Sequence, residues 1–168
     1  TELGDSGLRA LSMTVQSGGA AASATITPNG RDGRLRIEAG DVGSLLRFFD
    51  IYPRVIGGRS VVAGTVEASG RITAVLDGDN WKVVEEPALA RLSTASAVGP
   101  TSGLSTADIR RLAFRIAFNN GRLGIDEGFL RTDTAGLTMN GDVDVTKGVI
   151  RLAGSYLPAS RLDRLLGA

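Results

Sequence analysis

The chain contains neither cysteine nor histidine in its 168 residues. Without cysteine there is no disulfide framework and no thiolate, so the redox compartment stays open. Without histidine, Ser-His-Asp and Cys-His nucleophile systems and the usual zinc sites are excluded, because each needs an imidazole or a thiolate. Charge of one sign is missing too: Lys+Arg 19 against Asp+Glu 18 leaves a formal net charge of +1. That balance gives no long-range field to draw in nucleic acid, and no aromatic series has the spacing of a single-strand platform. No apolar run reaches the roughly 18 residues of a membrane-spanning helix. The basic residues are almost all arginine, with Lys82 and Lys147 the exceptions; we read this, with the Ala and Gly richness, as codon composition.

What is present is alternation. Leu11, Met13 and Val15 alternate with Ser12, Thr14 and Gln16, and Ala22, Ala24 and Ile26 with Ser23, Thr25 and Thr27. The same period recurs in Leu35/Ile37, Ile72/Ala74/Leu76, Phe114/Ile116/Phe118, Leu123/Ile125, Leu137/Met139, Val143/Val145 and Ile150/Leu152. Strands with one apolar and one polar side read this way. Turn signals stand between them at Ser17-Gly18-Gly19, Asn29-Gly30, Ser69-Gly70, Gly78-Asp79, Asn120-Gly121, Glu127-Gly128 and Lys147-Gly148. Gly and Asn tolerate the positive φ of tight hairpins, so neighbours join antiparallel. The fold class is mainly β: an antiparallel meander forming a curved sheet, half-barrel or trough.

About three short amphipathic helices interrupt it. Asp41 caps a helix with Val42, Leu45, Leu46 and Phe49 on one side, ending near Tyr52-Pro53. Pro87 opens a second carrying Leu89 and Leu92, and Pro158 a third carrying Leu162, Leu165 and Leu166. Each follows a strand, where it covers part of an apolar sheet face. The Ser-, Thr- and Gly-rich stretch 95–105 is a flexible loop. Residues 1–168 read as one module, alternatively as halves 1–94 and 106–168, cut from a larger protein. In Ile109–Phe118, Ile109, Leu112 and Ala113 suggest a helical turn before a strand that begins near Phe114.

Catalytic and ligand motifs fail one by one. Asp77-Gly78-Asp79-Asn80 has Lys82 where a calcium loop needs glycine at position six, so a polar hairpin turn is the simpler reading. Asp142 and Asp144 share a strand face and could pair as acid and base, but also suit a wet surface. Asp126-Glu127 reads as the approach to a turn. Gly18-Gly19 and Gly57-Gly58 lack the strand–GxGxxG–helix context of a phosphate loop. Arg110-Arg111, with Arg115, could meet a lipid headgroup or phosphate, or line a solvated edge. Trp81 packs under the Pro87 helix or touches a ligand. The chain is not an enzyme by this reading, and no cofactor is expected.

One ordered set of residues resembles a known family. Ile37-Glu38-Ala39-Gly40-Asp41-Val42-Gly43-Ser44-Leu45-Leu46-Arg47 is followed by Gly57-Gly58, Gly70-Arg71-Ile72, Trp81-Lys82-Val83-Val84 and Pro87-Ala88-Leu89. Then come Phe114-Arg115-Ile116-Ala117-Phe118, Gly121-Arg122-Leu123-Gly124-Ile125, Gly136-Leu137-Thr138, Gly141-Asp142-Val143-Asp144-Val145, Leu152-Ala153-Gly154 and Leu157-Pro158-Ala159. Their order, over nearly the whole chain, resembles the C-terminal region of AsmA-like proteins of Gram-negative envelopes, the group that includes TamB and YhdP. The resemblance implies a periplasmic module of an inner-membrane-anchored parent, with a β groove lined by apolar side chains that moves phospholipid toward the outer membrane. It brings no catalytic residues.

A one-sided sheet left wet costs roughly 25 cal/mol per Å² of apolar surface, so acyl chains, helices or a second sheet must cover it. The groove candidates are Ile72, Leu76, Phe114, Ile116, Phe118, Leu123, Ile125, Met139, Val143 and Leu152, equally suited to an ordinary core. Expected partners are phospholipid acyl chains, neighbouring β segments of the parent and envelope proteins, with no nucleic acid. The alternative is a structural end-cap or protein-docking β module without direct lipid binding, and a carbohydrate-active enzyme would need two carboxylates about 5–10 Å apart in a cleft.

Overall fold

A computed structural model of the protein describes residues 10–17, 20–50, 52–86, 106–133, 135–144 and 146–158. Nine strands follow one another: β1 Leu11–Ser17, β2 Ala20–Asn29, β3 Asp32–Ala39, β4 Val55–Val66, β5 Ile72–Val83, β6 Ala107–Asn119, β7 Arg122–Thr132, β8 Ala135–Asp144 and β9 Val149–Pro158. Helix α1, Val42–Phe48, stands between β3 and β4. The strands pair antiparallel in sequence order, and β1 and β9 remain as the two edges of an open sheet. β5 and β6 are paired along their length although stretch 95–105 lies between them in sequence.

Most turns fall where Gly and Asn place them. Asn120 and Gly121 both have positive φ, 48° and 74°, as a two-residue turn between right-twisted strands requires. Gly30, Gly70 and Gly148 supply positive φ at three more turns. The turn signal Ser17-Gly18-Gly19 and the loop 95–105 lie outside or partly outside the described residues.

Two expected turns are absent. Gly78-Asp79 lies inside β5, and Glu127-Gly128 inside β7, with Asp126-Glu127 forming a bulge rather than a turn approach. Ile116 pairs with Ile125 but Arg115 pairs with Glu127, so β7 holds one extra residue there, and the same shift recurs against β8. The bulge interrupts the alternation and so mimics a turn. Ala107–Asn119 is likewise strand throughout, not a helical turn followed by strand. Ile109 pairs with Thr132 and Arg111 with Arg131, leaving Arg110 as the extra residue. A bulge puts residues three apart on one face, which is the spacing that imitated a helix. The Thr132–Ala135 turn carries no Gly or Asn signal and is held by the Thr132 hydroxyl, which accepts from the Ala135 amide at 3.0 Å.

Of about three helices expected, α1 is the single one among the described residues. Those opening at Pro87 and following Pro158 fall in 87–105 and 159–168, outside them; Pro158 itself closes β9. Asp41 caps α1, accepting from the Ser44 amide at 2.9 Å and the Ser44 hydroxyl at 2.8 Å. This bond to the Ser44 amide holds the Asp41 carboxyl below its ordinary value. The helix is shorter than expected: Phe49 is its C-cap and exposed, stacked edge-on to Phe48 with centroids 5.1 Å apart. Val42 and Gly43 are buried at the start of β4, where a side chain on Gly43 would stand 2.9 Å from the Gly57 amide nitrogen.

Candidate functional site

The pairing register sorts the strand residues into cross-strand rows whose side chains share a face. One row runs Leu11, Ile26, Leu35, Gly64, Ala74, Ile116, Ile125, Gly141, Leu152 from edge to edge. Beside it lies Met13, Ala24, Ile37, Val62, Leu76, Phe114, Gly128, Met139, Gly154. A third runs Val15, Ala22, Ala39, Ser60, Gly78, Leu112, Leu130, Leu137, Tyr156, and a shorter fourth Val66, Ile72, Phe118, Leu123, Val143. Ser60 and Tyr156 are the polar side chains in these rows; Ser60 is satisfied internally by donating to the Arg59 carbonyl at 2.8 Å, and Tyr156 is exposed on edge strand β9.

All ten residues singled out for a groove stand on this face. Ile72, Phe118, Leu123 and Val143 share the short row; Ile116, Ile125 and Leu152 share the row that begins at Leu11; Leu76, Phe114 and Met139 share the row that begins at Met13. Leu35, Ile37, Val62 and Leu112 occupy the same rows and were not among the ten. In Val61-Val62-Ala63-Gly64 the apolar run is unbroken, which hides which side chain faces which way. The bulge at Asp126-Glu127 keeps the face continuous: before it odd-numbered residues of β7 face the rows, after it even-numbered ones.

The face is thinly covered. Leu35, Ala74 and Leu112 are buried, yet none of the described large side chains is fully enclosed. A sealed interior shared by nine strands would close several such side chains off completely. Instead Leu11, Met13, Leu152 and Tyr156, in the two edge strands, are each at least half exposed. At one end of the face the backbone turns over. Gly57 and Gly58 (φ 64° and 85°) in β4 and Asn80 (φ 56°) in β5 stand in line with the extra residue Arg110 in β6. Past this line Trp81 folds back on the apolar side, its Nε1 donating to the Arg59 carbonyl at 3.2 Å. Side chains at Gly58 or Gly78 would collide with its indole, so these glycines make its place.

The other face is charged and paired. Arg59 meets Asp79 at 2.9 Å, Arg111 meets Asp77 at 3.6 Å, Arg115 meets Glu127 at 3.9 Å, and Asp142 lies 3.9 Å from Arg122 and 3.4 Å from Arg151. Arg110 clamps Asp133 at 2.6 and 2.7 Å; that bond holds the Asp133 carboxyl low and the guanidinium high. Asp77 and Asp79 are thus strand residues in ion pairs, neither calcium loop nor hairpin turn. Asp144 is buried and accepts from the Lys147 amide at 3.0 Å, tying the β8–β9 turn. A groove of about 750 Å³ crosses β1 to β6, but its ionic groups Glu38, Arg59, Asp77, Asp79 and Arg111 are all already paired, Glu38 with Arg36. At the start of β4, Glu86 accepts from the Tyr52 hydroxyl and from Arg54 at 3.2 Å; burial first, then Glu86, pushes the Tyr52 hydroxyl up.

Among the described residues there is no group of three or more His, Cys, Asp or Glu arranged to hold a metal, and no helix long and apolar enough to cross a membrane. No family model, no curated protein and no solved structure matches the chain.

Proposed function

We propose that the chain is a non-catalytic, AsmA-like β module that shelters phospholipid acyl chains on its apolar face. The sheet curls about them as a trough. Its setting is the periplasm, within a parent anchored in the inner membrane, on a route that carries lipid between the two membranes. One observation carries this reading: four cross-strand rows, polar only at Ser60 and at the Tyr156 hydroxyl on the edge strand, with their large side chains left partly open. An acyl chain is the covering that matches such a surface, since it needs shape and dryness but no hydrogen bonds.

The test is direct. The purified chain is extracted and its lipids are identified by mass spectrometry. It is then mixed with phospholipid brominated in the acyl chains, while the fluorescence of Trp81, the single tryptophan, is followed. Co-purified phospholipid and quenching of Trp81 are expected. Absence of both would sink the reading.

A second reading is favoured by the edges. β1 and β9 each pair on one side alone, and β1, Leu11–Ser17, has no charge and no proline to discourage a further strand. Under it the chain is an end-cap that docks neighbouring β segments of its parent or an envelope protein. It then carries no lipid, and Thr14→Pro weakens its co-purification with the adjoining parent segment.

A further inference from the structure

The arginines that are left without partners are not scattered. Among the described residues, Arg31, Arg34, Arg71 and Arg131 have neither an ion pair nor a side-chain hydrogen bond. Every other described cation is engaged, including Arg110, Arg111 and Arg115, the cluster that reads in the sequence as a phosphate candidate. Three of the four free guanidiniums stand at one corner of the sheet. Arg31 is in the β2–β3 turn, Arg34 sits near the start of β3 opposite Thr65, and Arg71 leads into β5. The two turns are tied together: the Ala68 amide donates to Asp32 at 3.1 Å. The corner's two carboxylates are occupied, Asp32 by that amide and Glu67 by the Ser69 hydroxyl at 3.1 Å. Glu67 also faces Arg71 across the ladder, its amide donating to the Arg71 carbonyl at 2.8 Å, so an anion here must be drawn by the arginines together.

We infer that this corner holds the phosphate of an anionic headgroup: Arg34 and Arg71 stand on the charged side of the ladder, opposite Val66 and Ile72, and the headgroup bends over the strand end from the apolar row to reach them. This rests on the acyl-sheltering reading for its lipid source, but the phosphate chemistry stands without it. Guanidinium forks match phosphate oxygens two at a time, and the Thr65 hydroxyl lies beside Arg34 as a neutral donor. A lipid lying on the apolar face must leave its headgroup at a strand end, since the face itself carries no charge and is polar only at Ser60 and the Tyr156 hydroxyl. The end carrying the hairpin turns at 30–31 and 67–71 is the one where unpartnered guanidiniums cluster. At the opposite end Arg54, Lys82 and Arg110 are already bound to Glu86, Asp108 and Asp133, and Arg131 stands alone.

The test compares the whole chain with R31Q/R34Q/R71Q and with R131Q as a control, all checked for β structure by circular dichroism. Each is titrated with vesicles of acyl-brominated phosphatidylcholine, with and without acyl-brominated phosphatidylglycerol, reading Trp81 quenching. The wild type and R131Q are expected to prefer the anionic vesicles. The triple variant is expected to lose that preference by about tenfold or more, at roughly fivefold per basic residue, while still being quenched at saturating lipid. A preference that survives in the triple variant overturns the inference. If no protein is quenched, the acyl reading has failed separately. Inorganic phosphate then decides: shifts of arginine side-chain resonances in the wild type, lost in the triple variant, uphold the phosphate corner, and their absence overturns it.

Discussion

Leu112 and Leu152 are the same residue on the same sheet face, and their substitution by alanine should have very different costs. Leu112 is 3% exposed, beside Trp81 and Gly78, whereas Leu152 is 50% exposed on edge strand β9. Leu112→Ala removes buried methyl groups and leaves a cavity, a change that costs about 2–5 kcal/mol. Leu152→Ala loses about half of a transfer term of roughly 1.5–3 kcal/mol, or ~1 kcal/mol, and leaves no cavity because one side is already open. Urea unfolding of the delipidated chain, followed by Trp81 fluorescence, measures both from the midpoints at constant m. With lipid present the ranking of function should invert: Leu152→Asp leaves the delipidated stability within about 1 kcal/mol of wild type and reduces acyl uptake. Equal destabilisation by the two alanine substitutions in the lipid-free chain would refute the reasoning, because it would mean that β9 is sealed against a second layer.

Other consequences follow from single contacts. A methyl at Gly64 would stand 2.6 Å from Cα and Cβ of Ala74, both part of the neighbouring strand's core, so Gly64→Ala should cost about 1–3 kcal/mol in the same urea assay. Asp41→Ala should cost about 1 kcal/mol at neutral pH by removing the α1 cap. Because the folded carboxyl lies below its ordinary value of 3.8, this contribution is present above that value and is lost as the pH falls through the lower folded one. The wild type and Asp41→Ala curves should therefore converge below about pH 4, and a gap that persists in acid would point to another cause. The exposed Arg59–Asp79 pair should show a coupling of less than about 1 kcal/mol in a double-mutant cycle, shrinking further in high salt.

Much of this was visible in the residues because side-chain alternation is a local property. A strand puts successive side chains on opposite sides whatever it pairs with, so Leu11/Met13/Val15 or Phe114/Ile116/Phe118 declare a face before any partner is known. Asn120-Gly121 declares a hairpin because both positions need positive φ. Likewise Asp41 announces α1 by its own capping bond. The misreadings arose where parity changes inside a strand. Arg110 in β6 and Asp126 in β7 are extra residues, and an extra residue looks like a helix or a turn when only the neighbours in sequence are seen.

What the sequence determined alone is that this chain forms strands with one apolar and one polar side, joined in antiparallel order, and that imidazole and thiolate chemistry is excluded. The tertiary structure decided how those sides line up across nine strands. Register is a relation between strands, and only the bulges at Arg110 and Asp126-Glu127 bring Ile109, Leu112, Ile125 and Gly128 onto one continuous face. It also decided which arginines find acids and which three remain free at one corner, because ion pairs depend on distances across the ladder that no stretch of sequence contains.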